Sequence, residues 1–147
     1  MLSLEQQVIS LALAQTLKAL GVAQESLYVW SVPVPARAKD AVERKAVERV
    51  GTGLYEATAA WTDAFDTYAA FTSVELGALL PAVIEIKGRD RWLRIEKDDG
   101  VSAPSVWRVQ YEEEGQEVGP SFEAEREADA RAQVLIYLLE HHLLARQ

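Results

Sequence analysis

The spacing of hydrophobic positions changes twice along the chain. Apolar residues recur at helical spacing over residues 4–20, and Gly21 follows where a left-handed helix cap belongs. Over residues 83–122 apolar and polar positions alternate, as they do on half-buried strands. Helical spacing returns over residues 123–145. The pattern therefore predicts an N-terminal helix, a run of strands and a long C-terminal helix.

A short helix with clearly marked ends separates the two halves of the chain. Thr72 and Glu75 have the spacing of a capping box, in which each side chain accepts a hydrogen bond from the other residue's backbone N–H. Phe71 and Leu76 can pack together across the start of this helix. Pro81 disfavours helical backbone at the residue before it, so the helix ends there. This helix sets the angle between the halves.

One segment of the N-terminal half, residues 54–70, has two interpretations. Residues 27–32 are rich in β-branched and aromatic side chains and predict a strand. Asp40 starts a predicted helix over residues 41–50. The aromatic residues of 54–70 fit helical spacing, whereas the first of these residues fit a strand paired with 27–32. We favour a strand followed by a loop.

The second half predicts an antiparallel meander of three to four strands, because each strand is followed by a short turn. Such a meander needs cover on one face, which the long C-terminal helix supplies. The predicted fold class is therefore α+β: an N-terminal helix, the meander and the long C-terminal helix packed on the sheet. We expect a single domain over residues 1–147. The strands are expected at residues 83–87, 92–97, 105–111 and 116–122.

The middle of the C-terminal helix, residues 134–139, is apolar on all sides. One side can lie on the sheet, and the opposite side also needs cover. Either the N-terminal helix or a second subunit can provide it. We predict a homo-oligomer.

Composition excludes several classes of function. The 147 residues carry a net charge of −8 and no cysteine. The negative charge disfavours nonspecific nucleic-acid binding, and the absence of cysteine excludes disulfides and thiolate metal sites. No apolar run approaches the about 20 residues of a membrane helix, and residues 1–5 lack the features of a signal peptide. We expect a cytoplasmic protein.

The case for an enzyme is weak. The two histidines, His141 and His142, are neighbours on a predicted helix and point about 100° apart, so they cannot bind one metal together. No hydrolase, zinc-protease or phosphate-loop motif occurs. We predict no catalytic residues, no metal and no cofactor.

Basic residues are concentrated in the first three strands of the meander. Arginine beside an aromatic ring can hold a phosphate and stack on a base. In the other interpretation, these arginines pair with neighbouring acids on a solvated sheet face. The candidate ligand-binding residues are Trp61, Tyr68, Arg91, Trp92, Arg94, Trp107 and Arg108.

Three groups of motifs also occur in a fixed order along the chain. The first is LEQQ at 4–7 with LKALGV at 17–22 and QESLY at 24–28; the second is AFT at 70–72 with ELG at 75–77 and LLP at 79–81; the third is EADARA at 127–132 with LIYLLE at 135–140. Together they resemble a family of small uncharacterised proteins encoded by bacterial phages and prophages. Residues 33–69 have no counterpart in it.

The resemblance implies a small accessory protein in the cytoplasm of the host cell, and it brings no catalytic residues. By analogy with phage proteins of this size that block host immunity, we expect a non-enzymatic protein that binds and sequesters a small nucleotide-like signal. The alternative is a protein–protein interaction module that binds a host factor through an apolar face. An enzyme that degrades such a signal is a third class.

Overall fold

The computed structural model describes residues 2–100 and 105–144 and contains helices and antiparallel sheets. The helices are α1 (Leu4–Gln7), α2 (Leu11–Ala19), α3 (Ala41–Val50), α4 (Ser73–Leu79) and α5 (Glu127–Glu140), with a 3-10 helix at Pro35–Arg37. The strands are β1 (Tyr28–Pro33), β2 (Gly53–Glu56), β3 (Phe65–Ala69), β4 (Val83–Ile86), β5 (Arg89–Asp98), β6 (Val106–Glu113) and β7 (Gln116–Ala124). The predicted α+β class is confirmed.

The second half forms the predicted meander, a four-stranded antiparallel sheet of order β4-β5-β6-β7. Two-residue turns connect its first and last pairs of strands. Lys87 and Gly88 have φ of 53° and 77°, and Glu114 and Gly115 have φ of 49° and 79°. Positive φ at both central residues matches the twist of the paired strands. The first turn thus lies at residues 87–88, so β5 begins at Arg89, earlier than the alternation predicts.

The predicted boundary between the last strand and the last helix is wrong. Strand β7 runs on to Ala124, and α5 begins at Glu127. Phe122 and Ala124 pair in register with Val109 and Trp107 of β6. This pairing keeps the segment extended, although its acidic residues are also typical of a helix start.

The core lies between the four-stranded sheet and α5. Val109 and Tyr111 are fully buried on the sheet face that α5 covers, and Leu138 is fully buried on α5. On its other sides α5 contacts α4 and α2. The chain itself thus buries Val134, Leu135 and Leu138 in the apolar middle of α5, whereas Ile136, Tyr137 and Leu139 remain partly exposed. The homo-oligomer stays a prediction, and the cover that one chain provides for α5 weakens the argument for it.

The N-terminal segment is not the single helix that its spacing predicts. Val8, between α1 and α2, has extended backbone with φ −117° and ψ 165°, and it pairs with Thr72 as an isolated antiparallel bridge. Val8 and Ile9 are both fully buried, and β-branched side chains favour extended backbone. The prediction of one helix over residues 4–20 is therefore wrong.

Tertiary hydrogen bonds replace helical ones at this break. The N–H of Ile9 donates to the carbonyl of Phe71 at 3.0 Å, and the carbonyl of Ile9 accepts from the indole Nε1 of Trp30 at 2.9 Å. The N–H of Ser10 donates to Oδ1 of Asp129 at 2.8 Å. The interruption of the helix therefore leaves none of these backbone groups without a hydrogen-bond partner.

A second sheet, of order β2-β1-β3, lies in the N-terminal half. Residues 54–70 contain the predicted first strand, β2, but the loop expected after it includes strand β3, so that part of the prediction is wrong. Side chains complete the outer edge of β3: Lys18 Nζ donates to the carbonyl of Thr67 and Gln24 Oε1 accepts from the N–H of Ala69, both at 2.8 Å. Each of these bonds joins residues that are distant in sequence, so a local pattern cannot predict strand β3 from them.

Helices α3 and α4 begin at the predicted capping residues. Thr72 Oγ1 accepts from the N–H of Glu75 at 3.2 Å, and Glu75 Oε1 accepts from the N–H of Thr72 at 3.0 Å. In α3, Asp40 Oδ1 accepts from the N–H of Glu43 at 2.8 Å. Helix α4 ends before Pro81, as expected, with an extended residue between them.

Tyr111 provides a prediction about alkaline pH. Its hydroxyl is buried and donates to the carbonyl of Pro81 at 2.7 Å. Burial raises the pKa of this phenol, because the phenolate would lose its hydration. The pKa is thus higher in the folded than in the unfolded chain, so this group's stabilisation is complete below about pH 10 and is lost at higher pH. We expect the urea midpoint to fall between about pH 9.5 and 11.5.

The Tyr111→Phe variant checks this prediction. Removing the hydroxyl should cost about 0.5–1.5 kcal/mol at neutral pH, because the Pro81 carbonyl loses its donor. It should also reduce the alkaline fall, whereas Tyr55→Phe, at a half-buried ring, should leave that fall unchanged. An alkaline fall of equal size in the wild type and Tyr111→Phe would contradict the prediction.

Candidate functional site

Three of the predicted ligand-binding residues share the outer face of the four-stranded sheet, opposite α5. Trp92, Arg94 and Arg108 lie there on β5 and β6. Arg94 Nη1 contacts Glu112 Oε1 at 2.9 Å, and Arg108 Nη2 contacts Glu123 Oε1 at 2.6 Å. These ion pairs are the ones expected in the second interpretation of these strands, in which the arginines pair with neighbouring acids. At exposed positions such pairs contribute little stability.

Arg91 and Trp107 lie on the opposite face of the same sheet. Arg91 Nη1 donates to the carbonyl of Gly119 at 2.8 Å. Trp107 packs against the core, and Lys97 Nζ lies over its ring, 5.9 Å from the centroid. An ammonium group at this distance interacts favourably with an aromatic ring.

Trp61 and Tyr68 belong to the N-terminal sheet region. Trp61 packs edge-on against Tyr55 and Phe65, with ring centroids 4.7 and 5.0 Å apart. Lys18 Nζ lies 4.9 Å from the ring centroid of Tyr68. The seven predicted residues are thus divided among three places, and ligand binding by them stays a prediction.

The structure contains a broad groove of about 1560 Å³. It opens between α1, α4, the start of β1, the end of β5, the start of β6, and the link from β7 to α5. Its lining includes Leu2, Glu5, Leu27, Val74, Glu75, Lys97, Trp107, Glu125 and Arg126.

Apolar side chains are unusually exposed in this groove. Leu2, Leu27 and Val74 have 61%, 66% and 80% of their surface accessible. Scattered single exposures need no explanation, but several in one concave surface mark an interaction site. Trp107 adds part of an aromatic ring to the same surface.

Glu75 connects the walls of the groove. One carboxylate oxygen accepts from the hydroxyl of Ser26 at 3.0 Å and from the N–H of Thr72 at 3.0 Å, and the other accepts from the N–H of Leu27 at 3.2 Å. The residue that caps α4 therefore also holds the start of β1 beside it. This contact brings Leu27 and Val74 to the same groove.

Helix α1 forms a further wall. The extended Val8 after it is anchored by the bridge to Thr72, and Arg126 Nη1 donates to the carbonyl of Glu5 at 2.6 Å. Ser3 starts α1, and its N–H donates to Gln6 Oε1 at 2.9 Å. The helix break in the N-terminal segment thus turns α1 towards the groove.

The cations of the groove are engaged by neighbouring groups. Arg126 Nε contacts Asp129 Oδ2 at 3.1 Å, and Lys97 Nζ contacts Asp99 Oδ1 at 3.3 Å. Ser105 Oγ also donates to Asp99 Oδ1 at 2.6 Å. The hydrogen bond from Ser105, and then the one from Lys97, lower the pKa of Asp99.

Sequence reasoning missed the groove, apart from Trp107. Leu2, Leu27 and Val74 each look like a single surface residue, and no periodic pattern relates them. The one available indication was the capping box, which places Val74 in an exposed first helical turn. That Glu75 also reaches Ser26 and Leu27 could not be predicted from spacing.

Among residues 2–100 and 105–144, no group of three or more His, Asp or Glu side chains could hold a metal ion. None of the helices in the described part of the chain has the length and hydropathy to span a membrane. Comparisons with protein-family models, curated proteins and solved structures found no match to this chain.

Proposed function

We propose that this protein is a non-enzymatic binding protein that takes a segment of another protein into the groove. One observation carries the proposal: Leu2, Leu27 and Val74 are largely exposed and line the same concave surface. Covering them on binding removes apolar surface from water, which is the main driving force for association.

The dimensions of the groove support this class of partner. Small-molecule pockets measure about 300–1,000 Å³ and enclose most of their ligand. The groove is larger, about 1560 Å³, and is partly open to solvent. A peptide segment fits such a shape, with its apolar side chains against the wall and its backbone near the polar rim.

The resemblance to phage-encoded proteins supports a biological setting for this activity. A phage accessory protein without catalytic residues can block a host factor by occupying its binding surface. We therefore propose a host protein, in the host cytoplasm, as the partner.

Val74→Asp tests the proposal, with Val42→Asp as a matched control. Val74 and Val42 are 80% and 79% exposed. Each is the second residue of a capped helix, where a negative charge is favourable, so neither change should destabilise the fold. Only Val74 lines the groove. We expect Val74→Asp to weaken partner binding at least about tenfold, because the new charge would be buried at the interface, and Val42→Asp to leave it unchanged.

The measurement is capture from bacterial lysate on the immobilised wild type and both variants, followed by titration of the captured protein. Equal capture by all three proteins would contradict the proposal. If the immobilised protein binds added copies of the same chain and no lysate protein, the groove is a self-association site, which is compatible with the homo-oligomer prediction, and a host partner is the wrong assignment. Light scattering identifies that outcome.

Sequestration of a small nucleotide is the second candidate. One observation favours it: Trp107, a predicted ligand-binding residue, lines the groove with Lys97 over its ring. A base could stack on this indole beside the ammonium group. Calorimetric heat from a nucleotide, lost in Trp107→Ala but kept in Val74→Asp, would favour this candidate over the first.

A further inference from the structure

We infer that the occupant of the groove is a basic segment, one that sets lysine or arginine side chains against Glu5 and Glu125. This inference rests on the proposed function, since it names the chemistry of the partner at the same site. It follows from a comparison of the charged groups that line the groove.

The groove has more carboxylates than cations. Among the residues that the structure describes, the charged ones lining the groove are Glu5, Glu75, Lys97, Glu125, Arg126 and Glu127. Four carry negative charge and two carry positive charge, so the lining has a net charge of −2 by this count.

Two of the four carboxylates are already occupied. Glu75 accepts hydrogen bonds from three donors at the start of β1 and α4. Glu127 Oε1 accepts from Arg131 Nη2 at 3.0 Å within α5. Both therefore serve the fold of this chain.

The other two carboxylates belong to Glu5 and Glu125. Neither has a hydrogen bond or ion pair from its side chain among the described residues, and both side chains are exposed. The bond from Arg126 reaches the backbone carbonyl of Glu5 and leaves its carboxylate available. These carboxylates can therefore accept hydrogen bonds from an incoming cation.

The cations, by contrast, have partners within the chain. Arg126 contacts Asp129 and the carbonyl of Glu5, and Lys97 contacts Asp99. An acidic segment or a phosphate would have to compete with these contacts and would also meet the carboxylates of Glu5 and Glu125, which have no partner among the described residues. Electrostatic complementarity thus favours a basic occupant.

The charge of the whole chain acts in the same direction. The net charge of −8 attracts a basic segment at long range and accelerates its encounter with the groove. The exposed apolar side chains of Leu2, Leu27 and Val74 then provide the contact area. The occupant therefore combines apolar and basic residues, the former against these side chains and the latter against the two carboxylates.

Selection of random linear peptides on the intact protein tests this inference. The library is selected on the wild type and counter-selected on Val74→Ser, which removes the apolar side chain without adding a charge that would attract basic peptides, so that only peptides bound in the groove are kept. We expect the enriched peptides to contain more Lys and Arg than the unselected library, together with large apolar residues. Their affinity should fall between about 0.05 and 0.5 M salt, because screening weakens exposed charge pairs.

Enriched peptides are then titrated against variants that remove single charges. The double variant Glu5→Gln with Glu125→Gln should bind them about five- to tenfold more weakly, as expected for two rim charge pairs. Glu85→Gln is the matched control: Glu85 is an exposed strand glutamate outside the groove, without a side-chain partner among the described residues. The Glu85→Gln variant should bind the peptides as tightly as the wild type does.

The outcomes separate this inference from the proposed function. Enriched peptides that depend on Val74 but carry no excess of Lys or Arg would overturn the inference and leave a peptide-binding groove. The same holds for basic peptides whose affinity does not change in the double glutamine variant. A selection that yields no Val74-dependent peptide would overturn the groove as a peptide site and, with it, the inference.

Discussion

Replacing Leu76 by alanine is expected to lower the free energy of unfolding by about 2–5 kcal/mol, the range for a fully buried leucine that leaves a cavity. Leu76 has no accessible surface and belongs to the core cluster shared by residues from both halves of the chain. It lies on α4, which packs against α5. A cavity at this position therefore loosens contacts between the helices and not only within α4.

Urea unfolding at neutral pH measures this effect, and Leu79→Ala is its control within the same helix. Leu79 is 43% exposed, so its truncation should cost less than about 1 kcal/mol. Both changes have the same effect on helix propensity, because they exchange the same residue types. A loss of stability of equal size in the two variants would mean that α4 does not pack into the core as described.

The meander was predictable because strands that are adjacent in the sheet are also consecutive in the chain. Leu93 and Ile95 face the core while Trp92, Arg94 and Glu96 face outward, as strict alternation requires. Turn residues mark the ends of these strands, and short turns leave only antiparallel neighbours. In this half of the chain, local pattern and tertiary structure agree on the order and pairing of the strands, although not on where β5 begins and β7 ends.

The break between α1 and α2 was not predictable from local pattern. Residues 4–20 have helical spacing throughout, and the preference of the β-branched Val8 and Ile9 for extended backbone is too weak a signal to override it. The conformation depends on Thr72, Phe71 and Asp129, which are distant in sequence. Tertiary hydrogen bonds here override the helical preference of the segment.

The candidate site was missed for the same reason. Arginine and tryptophan on neighbouring strands suggested a ligand site, but alternation places Arg94 on one face of the sheet and Trp107 on the other. The groove instead joins Leu2, which precedes α1, Leu27, which precedes β1, and Val74 of α4. Exposed apolar residues become informative only when the fold shows that they are neighbours.

Glu75→Ala is expected to lower the free energy of unfolding by about 2–4 kcal/mol, because hydrogen bonds to a charged group contribute about 1.5–3 kcal/mol each and are not additive. The change removes the acceptor for Ser26, Leu27 and Thr72 at once. It therefore removes half of a capping box and the connection between α4 and β1. Glu75→Gln keeps one acceptor oxygen and should lose about half as much.

The same substitution should also affect binding. The bond from the N–H of Leu27 to Glu75 holds Leu27 beside Val74 on the groove wall. Without it, we expect the affinity for a groove partner to fall about three- to tenfold, because binding must now order the wall. The groove thus depends on a residue whose predicted role was only to cap a helix.

Glu43→Ala separates the tertiary role of Glu75 from its local one. Glu43 is the third residue of α3, as Glu75 is of α4, and its carboxylate accepts from the nearby N–H of Lys39 at 2.6 Å. Its loss removes a local hydrogen bond and should cost about 0.5–1 kcal/mol, with no change in partner binding. If Glu43→Ala and Glu75→Ala destabilise equally, the contacts to Ser26 and Leu27 add nothing to the cap. If the Glu75 carboxylate holds the start of β1 beside α4, Glu75→Ala should lower the free energy of unfolding more than Glu43→Ala does, and it alone should weaken partner binding.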